Sequence, residues 1–273
     1  MQKSNCHTHT LFCDGSNTPE EMAKAAIERS FESLGFSVHS PLRFESGYAI
    51  EQSRVPEYID EINRLKEKYK RELYISNGIE LDRDSLPFDA SAFDYVIGSV
   101  HQLHFGERMY EVDYKPEILL DCAEKEFGGS FEKLAAHYFS LVNEYICEQK
   151  PEVVGHIDLI EKFNENCALF DDTNKKYRFG VLEVVDSICD NCPNIIFEVN
   201  TGAMFRCKRT VPYPQKFILE HLRERGMRIT VTSDAHCTKA LDFAFAETAE
   251  ICRSCGYKST YIITEKGFEE RPL

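Results

Sequence analysis

The sequence predicts a single α/β domain with a parallel sheet of about seven strands, and two observations support this fold class. Short apolar segments alternate with amphipathic helical stretches from one end of the chain to the other, which is typical of parallel α/β proteins. The chain has 273 residues, a size at which an α/β barrel usually forms one domain. No internal repeat and no linker rich in proline, glycine and serine interrupts it, so we treat residues 1–273 as one domain.

The helices and strands are predicted in order from local patterns. The first helix begins at the N-cap Thr18, with Pro19 at the first helical position and Glu21 as a capping-box acid, and continues to about residue 31. Later helices, each with apolar residues at helical spacing, are predicted at residues 53–69, 131–148, 177–188, 215–225 and 241–252. Strands are predicted in the N-terminal segment and at residues 36–38, 73–79, 95–100, 153–154, 195–199 and 228–231.

Two stretches interrupt this alternation and are predicted to be loops. Residues 41–52 combine aromatic and charged side chains, and residues 102–129 form a long irregular stretch with one short helix at most. Long loops in a compact domain are usually functional or disordered. We therefore expect both stretches to act as lids over a site.

Charge and hydropathy exclude several function classes. Acidic residues outnumber basic ones by 46 to 32, and no basic cluster that could bind nucleic acid stands out. No apolar run approaches the roughly 20 residues of a membrane span, and the N-terminus does not resemble a signal peptide. We expect a cytoplasmic protein with a small-molecule substrate, binding neither nucleic acid nor membranes; the sequence predicts no particular oligomeric state. If that substrate carries phosphate, local positive charge must overcome the net charge of −14.

The chain has eleven cysteines, and two pairs of them are spaced as Cys-x-x-Cys. The pairs Cys189/Cys192 and Cys252/Cys255 could together form a four-thiolate zinc site. Both pairs fall on stretches that look helical, however, where residues three apart are simply neighbours. We favour free thiols, because nothing in the sequence indicates secretion into an oxidising compartment.

Residues that bind metals are concentrated at the ends of the predicted strands. His7 and His9 follow the first strand, and alternate residues of an extended segment point the same way, so both imidazoles can reach one ion. Asp234 and His236 repeat this spacing after the last strand. The remaining candidates follow the strands between them or the loop after the first: Asp14, His39, Glu80, His101, His156, and Glu198 with Asn200.

In a β/α barrel these strand ends converge on one face, where catalytic residues of such folds lie. Imidazole together with carboxylate suits zinc, iron or manganese better than calcium or magnesium. Eight or nine ligands are too many for one ion and suit two or three. The other three histidines, His104, His137 and His221, do not end strands in this way and are interpreted as ordinary surface or core residues.

At these residues the sequence resembles the polymerase and histidinol phosphatase (PHP) family over nearly its whole length. The resemblance is carried by the segments His7-Thr-His-Thr, Asp14-Gly, Gly-Ile-Glu80, Gly-Ser-Val-His101, Gly-His156-Ile-Asp-Leu and Ser-Asp234-Ala-His236. Glu198-Val-Asn-Thr-Gly, followed by Arg206 and Pro-Tyr-Pro, is most similar to the histidinol-phosphate phosphatase branch. Two positions depart from the pattern: Val38 replaces an acid of many relatives, and Asp14 occupies a loop where many carry histidine.

The resemblance implies a distorted seven-stranded (β/α)7 barrel with a centre of three divalent metal ions, drawn from zinc, iron and manganese. It also implies that Glu80 bridges two ions. The implied ligands are His7, His9, Asp14, His39, Glu80, His101, His156, Asp234 and His236.

The function expected from this resemblance is hydrolysis of L-histidinol phosphate to L-histidinol and phosphate, in histidine biosynthesis. A hydroxide bridging two ions would attack phosphorus, since a metal can lower the pKa of bound water to about 7. Three divalent ions exceed the charge of the three ligand carboxylates, which makes the pocket locally positive. Besides Glu80, the expected catalytic residues are Asp234 and His236, either of which could protonate the leaving oxygen.

Substrate contacts are predicted less directly. Arg206 and Lys162 are candidates for the phosphate, because guanidinium and ammonium groups suit phosphate oxygens, and surface salt bridges are the alternative for each. Weaker candidates for the phosphate are Ser40 and Arg209. The imidazole and ammonium groups of the substrate would need acidic or aromatic partners, and Glu198 and the loop 41–52 could supply them.

Two other functions remain open at this stage. The first is a phosphoesterase of the same family that acts on a nucleotide or another small phosphate ester, which a substrate panel would distinguish. The second is a metal-binding or regulatory protein without activity, and any turnover of a phosphomonoester would exclude it. Degenerate members should lack ligands, whereas this chain keeps the full set.

Overall fold

The computed structural model describes residues 3–87 and 89–273. The strands are β1 (Ser4–Asn5), β2 (Ser33–His39), β3 (Tyr74–Asp82), β4 (Tyr95–Ser99), β5 (Gln102–Phe105), β6 (Arg108–Glu111), β7 (Val153–Val154), β8 (Ile196–Asn200), β9 (Arg228–Thr232), β10 (Ser259–Thr264) and β11 (Gly267–Pro272). The helices are α1 (Pro19–Glu28), α2 (Val55–Tyr69), α3 (Pro116–Phe127), α4 (Phe131–Gln149), α5 (Lys175–Asn191), α6 (Gly202–Phe205), α7 (Lys216–Glu224) and α8 (Phe245–Ser254).

Within these described ranges, seven strands form one parallel sheet in the order β1–β2–β3–β4–β7–β8–β9. The two edges meet just beyond β1 and β9, where Thr8 and Ala235 form a parallel bridge. His9 N–H donates to the carbonyl of Ala235 at 2.9 Å, and Ala235 N–H donates to the carbonyl of His7 at 3.1 Å. The sheet therefore closes into the expected distorted barrel, and the closing contact joins the two segments that carry paired candidate ligands.

The interior of the barrel is filled around Tyr95, which is 1% exposed. Its hydroxyl donates to the carbonyl of Cys6 at 2.5 Å, which ties β4 to the first strand across the barrel. A Cβ at Gly78 would lie 2.1 Å from the Tyr95 ring, so only glycine leaves room for this side chain. The β10–β11 hairpin adds Ile263 to the same apolar cluster and packs Phe268 edge-on against Tyr95, with the ring centroids 5.8 Å apart. The sequence did not predict this hairpin.

The predicted helices form close to their expected positions because their end signals act locally. At the start of α1, Thr18 Oγ1 accepts from Glu21 N–H at 3.2 Å, and Glu21 Oε2 accepts from Thr18 N–H at 2.8 Å. The last helix begins later than predicted, because residues Thr238–Ala240 form a 3₁₀ turn before α8. None of the helices in the described ranges combines the length and apolar character of a bilayer-spanning segment.

Residues 102–129 are more regular than predicted: one helix was expected there and is present, but the hairpin was not predicted. The segment contains the antiparallel hairpin β5–β6 and the twelve-residue helix α3. Gly106, with a φ of +64°, supplies the left-handed position that this hairpin turn requires. The four-residue strands are too short to produce a clear alternation in the sequence. Loop 41–52, in contrast, is largely irregular until a 3₁₀ turn at Gln52–Arg54 leads into α2.

The two Cys-x-x-Cys pairs pack in separate apolar clusters of the core, which agrees with the expectation of ordinary helical neighbours. Cys189 and Cys192 lie at the end of α5, and Cys252 and Cys255 lie at the end of α8. All four are buried free thiols. Because the pairs belong to different clusters, they do not form a common zinc site.

Candidate metal centre

The candidate ligands meet at the carboxyl end of the barrel, as their positions at strand ends predict. Among the described residues at this end of the barrel, three overlapping groups of side chains could each hold an ion. Within each group the ligand atoms lie within 4.8 Å of one another. The groups are His9, Asp14, His39 and His236; His7, Glu80 and His156; and His7, His9 and Asp234.

Glu80 lies at the centre of this arrangement and is fully buried. Its Oε2 is 3.2 Å from His7 Nε2 and 2.9 Å from His39 Nδ1. Its Oε1 is 3.1 Å from His156 Nε2 and 3.6 Å from His101 Nε2. The two oxygens of one carboxylate therefore face different sets of imidazoles, which is the position that a bridging ligand requires.

Asp234 and Asp14 extend the arrangement toward solvent. Asp234 Oδ1 is 3.1 Å from His9 Nε2 and 3.6 Å from His7 Nε2. Asp14 Oδ2 is 3.1 Å from His236 Nε2. Asp14 is reached only through the loop after β1, yet its backbone neighbour Gly15 donates its N–H to the carbonyl of Thr10 and returns the loop to the barrel. The structure thus brings all nine expected ligands to one site.

The pKa values of these side chains show which of them are ready to bind a cation and which hold a proton in its place. Burial would raise the pKa of Glu80, but His7, His39 and His101 hold it well below its usual value. Burial lowers the pKa of His9 to about 3, with help from His39 and His236, so this imidazole is neutral and has a free lone pair. Burial also opposes a proton on His101, yet Glu80 and Asp82 raise its pKa to about 10. A proton and a metal ion would therefore compete for the same nitrogen.

Unsatisfied polar atoms provide a test of whether the site fits a metal. Among the described residues, His7 Nε2, His9 Nε2, His156 Nδ1 and Glu80 Oε2 are buried without a hydrogen-bond partner. Leaving such groups unpaired costs about 1–3 kcal/mol each. Three of the four atoms point into the shared ligand groups, where a divalent cation would satisfy them. The imidazole and carboxylate donors present fit zinc, iron or manganese.

A second layer of side chains orients these ligands. Glu198 Oε1 accepts from His7 Nδ1 at 2.5 Å and from Thr232 Oγ1 at 2.6 Å, and its Oε2 accepts from His156 N–H at 2.7 Å. Asp82 Oδ2 lies 2.7 Å from His101 Nδ1. Carboxylates of this kind fix the tautomer of a ligand histidine and direct its other nitrogen to the metal.

The expected contact between Glu198 and substrate does not agree with this position. Both of its oxygens are engaged, and the residue is 1% exposed behind His7. Asp82 was missed by the sequence analysis, although a signal for it exists. It lies two residues after Glu80 in β3 and therefore on the same side of the strand.

Replacing Glu198 with glutamine should weaken metal binding about 10- to 100-fold, because the amide cannot hold the proton of His7 Nδ1 as a carboxylate does. Metal titration of the metal-free protein, followed by elemental analysis, measures this change. Glu183→Gln on the exposed surface of α5 is the matched control. Equal metal affinity in wild type and Glu198→Gln would contradict the assigned role.

A cavity of about 380 Å³ opens over the ligands. Part of its lining is the metal-ligand cluster itself, including Glu80, Asp234 and His236. The rest of its wall comes from the segments after β2, β4, β7 and β8, and consists of Tyr48, Glu111, Asp113, Tyr114, Leu159, Lys162, Arg206 and Lys208. Both stretches expected to act as lids contribute to this wall, the first through Tyr48 and the second through residues 111–114.

The two leading candidates for phosphate contact lie in this wall. Arg206 donates from Nη2 to Asp234 Oδ2 at 2.8 Å, and its Nη1 lies 3.2 Å from His236 Nδ1. A Cβ at Gly202 would lie 2.9 Å from Arg206 Nη2, so this glycine leaves space for the guanidinium. Lys162 Nζ lies in the same wall and forms an ion pair with Asp113 at 2.9 Å.

The two weaker candidates lie outside the cavity wall, so the expectation that they contact substrate does not agree with the structure. Ser40 is fully buried, hydrogen-bonded to Ser85, and accepts from the N–H of Asp82 at 3.1 Å. Arg209 packs over the ring of Tyr213 at 4.8 Å and donates to the carbonyl of Glu161 at 3.2 Å. Both side chains stabilise loops beneath the site.

The remaining histidines have other partners, as the sequence analysis expected. His104 Nε2 contacts Asp84 at 2.7 Å, and His221 Nε2 contacts Asp186 at 2.7 Å. His137 lies on α4 and packs against the ring of Phe105 at 5.1 Å.

Comparison with known proteins agrees with this geometry. The family model described as "PHP domain" matches residues 5–202. The chain is 28% identical to the "Probable histidinol-phosphatase" of Deinococcus radiodurans, with 92% of each chain covered. It is 27% identical to the "Histidinol-phosphatase" of Bacillus subtilis, covering 92% of this chain and 100% of the relative.

The fold is also shared with a solved structure. The histidinol phosphate phosphatase of Lactococcus lactis, complexed with zinc, L-histidinol and phosphate, superimposes with a TM-score of 0.71 at 21% identity, covering 98% of this chain and 99% of the other. The family match ends at residue 202, before Asp234 and His236. The bridge between Thr8 and Ala235 connects the segment that carries these two residues to the matched part of the barrel. On the match over residues 5–202, the chain belongs to the PHP domain family.

Proposed function

We propose that this protein is a metal-dependent phosphomonoesterase that hydrolyses L-histidinol phosphate to L-histidinol and phosphate. The observation that carries the proposal is the convergence of imidazole and carboxylate ligands at the base of a cavity whose wall contains Arg206 and Lys162. The Bacillus subtilis relative is named a histidinol-phosphatase and the Deinococcus radiodurans relative a probable one, and each match covers 92% of this chain. The Lactococcus lactis structure, which shares the fold, holds zinc, L-histidinol and phosphate.

The three overlapping ligand groups support a centre of three ions, which we assign to zinc, iron or manganese. The residues that would hold them are His7, His9, Asp14, His39, Glu80, His101, His156, Asp234 and His236. Divalent ions bound there would lower the pKa of coordinated water and neutralise negative charge on the phosphate. This local charge explains how an acidic chain attracts an anionic substrate.

Arg206 has two functions in this proposal. One N–H of Nη2 holds Asp234 Oδ2, while a guanidinium carries five N–H donors in all. The remaining donors at the cavity wall can bind phosphate oxygens, for which a planar guanidinium is well suited. Arg206 therefore orients a metal ligand and binds the substrate from the same position.

The leaving oxygen of the ester must receive a proton, and two residues were candidates. When His236 Nε2 serves as a ligand beside Asp14, its Nδ1–H can donate to the carbonyl of Asp234 at 2.9 Å. Burial would raise the pKa of Asp234, but Arg206, His7 and His236 hold it well below its usual value, so this carboxylate would have to take a proton from water before passing it to the leaving oxygen. Asp234 and His236 therefore both stand as candidates for relaying a proton from water to the leaving oxygen.

Substitution of Arg206 by alanine should reduce kcat/KM about 10²- to 10³-fold, because it removes a charged donor to the phosphate. Steady-state kinetics together with the melting temperature measure the effect. Arg225→Ala, which removes an exposed ion pair with Asp186, is the control. A lower melting temperature with unchanged kcat/KM would make Arg206 purely structural.

A substrate panel tests the proposed function itself. L-Histidinol phosphate is compared with nucleoside monophosphates, small neutral phosphate esters and single-stranded DNA under the same metal conditions. The proposal predicts the highest kcat/KM on L-histidinol phosphate. Faster turnover of a nucleotide would contradict the proposal and favour the alternative, a phosphoesterase of the same family that acts on nucleotides.

A further inference from the structure

The outer wall of the cavity contains an acidic segment that the proposed reaction does not use. We call residues 102–114, which comprise the β5–β6 hairpin and the three residues after it, the lid hairpin. Its end is held beside a metal ligand, since Glu111 pairs with Gln102 and Val112 N–H donates to the carbonyl of His101 at 2.8 Å. The lid hairpin therefore places Glu111 and Asp113 at the wall of the cavity over the ligands.

The two carboxylates of the lid hairpin differ in their partners. Asp113 forms an ion pair with Lys162 at 2.9 Å, so its charge is compensated. Glu111 is half-buried in the same wall. Over residues 3–87 and 89–273, no lysine, arginine or histidine nitrogen forms an ion pair with its carboxylate. Lys208 lines the same wall but is not paired with Glu111, so Glu111 is a carboxylate of this wall without a paired cation.

Burial raises the pKa of Glu111, and the neighbouring charge of Asp113 raises it further. Both effects arise because burial and a neighbouring negative charge disfavour the ionised form of a carboxyl group that has no counter-ion. A positively charged group on a bound ligand would act as the missing counter-ion and would therefore be attracted to Glu111. The base of the cavity suits an anion instead, because Arg206 lines it and the ligand cluster there would hold divalent ions.

We propose that Glu111 determines substrate specificity by binding an ammonium group on phosphate esters whose phosphate lies at the metal centre. This inference rests on the proposed function and deepens it. The substrate class is a short phosphate monoester with a protonated amine. L-Histidinol phosphate belongs to this class, because it carries a primary amine on the carbon next to the ester carbon.

The experiment uses the full-length metal-loaded protein and two pairs of esters that differ only in the amine. The first pair is L-histidinol phosphate and 3-(imidazol-4-yl)propyl phosphate, and the second is O-phosphoethanolamine and ethyl phosphate. Wild type should prefer the amine-bearing member of each pair about 10- to 100-fold in kcat/KM, as expected for a hydrogen bond between charged groups.

Glu111→Gln should abolish this preference, mainly by raising KM for the amine-bearing esters. The kcat/KM for the esters without an amine should stay within about twofold. Glu111→Asp should restore part of the preference, because it keeps the charge. Glu107→Gln, at the exposed turn of the lid hairpin, is the matched control and should behave as wild type. Melting temperatures of all variants show whether each is folded.

The outcomes separate this inference from the proposed function. If Glu111→Gln affects both members of a pair equally, or neither, the inference is overturned. If wild type hydrolyses L-histidinol phosphate without any preference for the amine, the inference fails and the proposed function stands. If O-phosphoethanolamine is preferred in a Glu111-dependent way while L-histidinol phosphate is not hydrolysed, the proposed function fails and the inference stands. Hydrolysis of none of the four esters would overturn both.

Discussion

Replacing Glu80 with glutamine should lower kcat about 10³-fold or more, which is among the largest effects expected for any substitution in this chain. Glu80 is fully buried, and its two oxygens face histidines from four different strand ends. An amide has one acceptor oxygen and no charge, so it cannot bind two cations from one side chain. The substitution removes the shared ligand while preserving the shape of the side chain.

Glutamine is preferred to alanine for this test because Ser99 Oγ can still donate to the remaining oxygen, as it does to Glu80 Oε1 at 2.7 Å. Alanine would leave a cavity beside buried imidazoles and confuse loss of activity with loss of folding. Glu144→Gln, on the exposed face of α4, is the control. A folded Glu80→Gln protein with nearly wild-type kcat would exclude Glu80 as the bridging ligand.

Removal of metal by a strong chelator should abolish phosphatase activity and lower the melting temperature. The activity is lost because the water-activating cations are lost. The stability is lost because a cation that binds only the folded state stabilises it, by about 2.7 kcal/mol when its concentration is 100 times its Kd. Manganese, zinc or iron added back should restore both properties.

The effect on stability has a specific cause in this structure. His7, His9 and Glu80 contain buried atoms without hydrogen-bond partners among the described residues, and these atoms would remain unsatisfied in the metal-free protein. A chelator that leaves the melting temperature and the activity unchanged, with metal loss verified by elemental analysis, would contradict this account. Magnesium alone should restore little, because imidazole nitrogens are poor ligands for it.

The convergence of the candidate metal ligands could be predicted from the sequence because strand geometry is a local property. The spacing of His7 with His9, and of Asp234 with His236, requires only that alternate residues share a side. The order of strands then brings the two pairs together, and Thr8 and Ala235 meet between them. The same local reasoning would have found Asp82, two residues after Glu80, had the support of ligand histidines been considered.

The lid hairpin and the β10–β11 hairpin could not be predicted with the same rules. Their strands are four to six residues long, and they form because of packing against neighbouring strands rather than because of a periodic pattern of apolar residues in the sequence. β10 contributes to the apolar cluster around Tyr95, which no sequence pattern near residue 260 reveals. Short strands of this kind form only because the rest of the barrel offers them a surface.

Assignments of polar residues to substrate were the least predictable. Arg206 and Arg209 differ by three positions in the sequence, yet one lines the cavity and the other packs over Tyr213. The carboxylate of Glu198 could bind an ammonium or imidazole group, but its two oxygens already accept hydrogen bonds from His7 and His156. A residue type shows what a side chain can bind, whereas only the surrounding structure shows which partners it already has.

The most direct test of the central claim is steady-state kinetics on L-histidinol phosphate with metal content determined on the same samples. Metal-free protein is loaded stepwise with manganese, zinc or iron, and kcat is measured at each content of bound metal per chain. We expect no activity without metal, and a kcat that continues to rise after the first ion is bound and reaches its maximum at two or three ions per chain. Full activity in protein whose metal-free state has been verified would contradict the central claim.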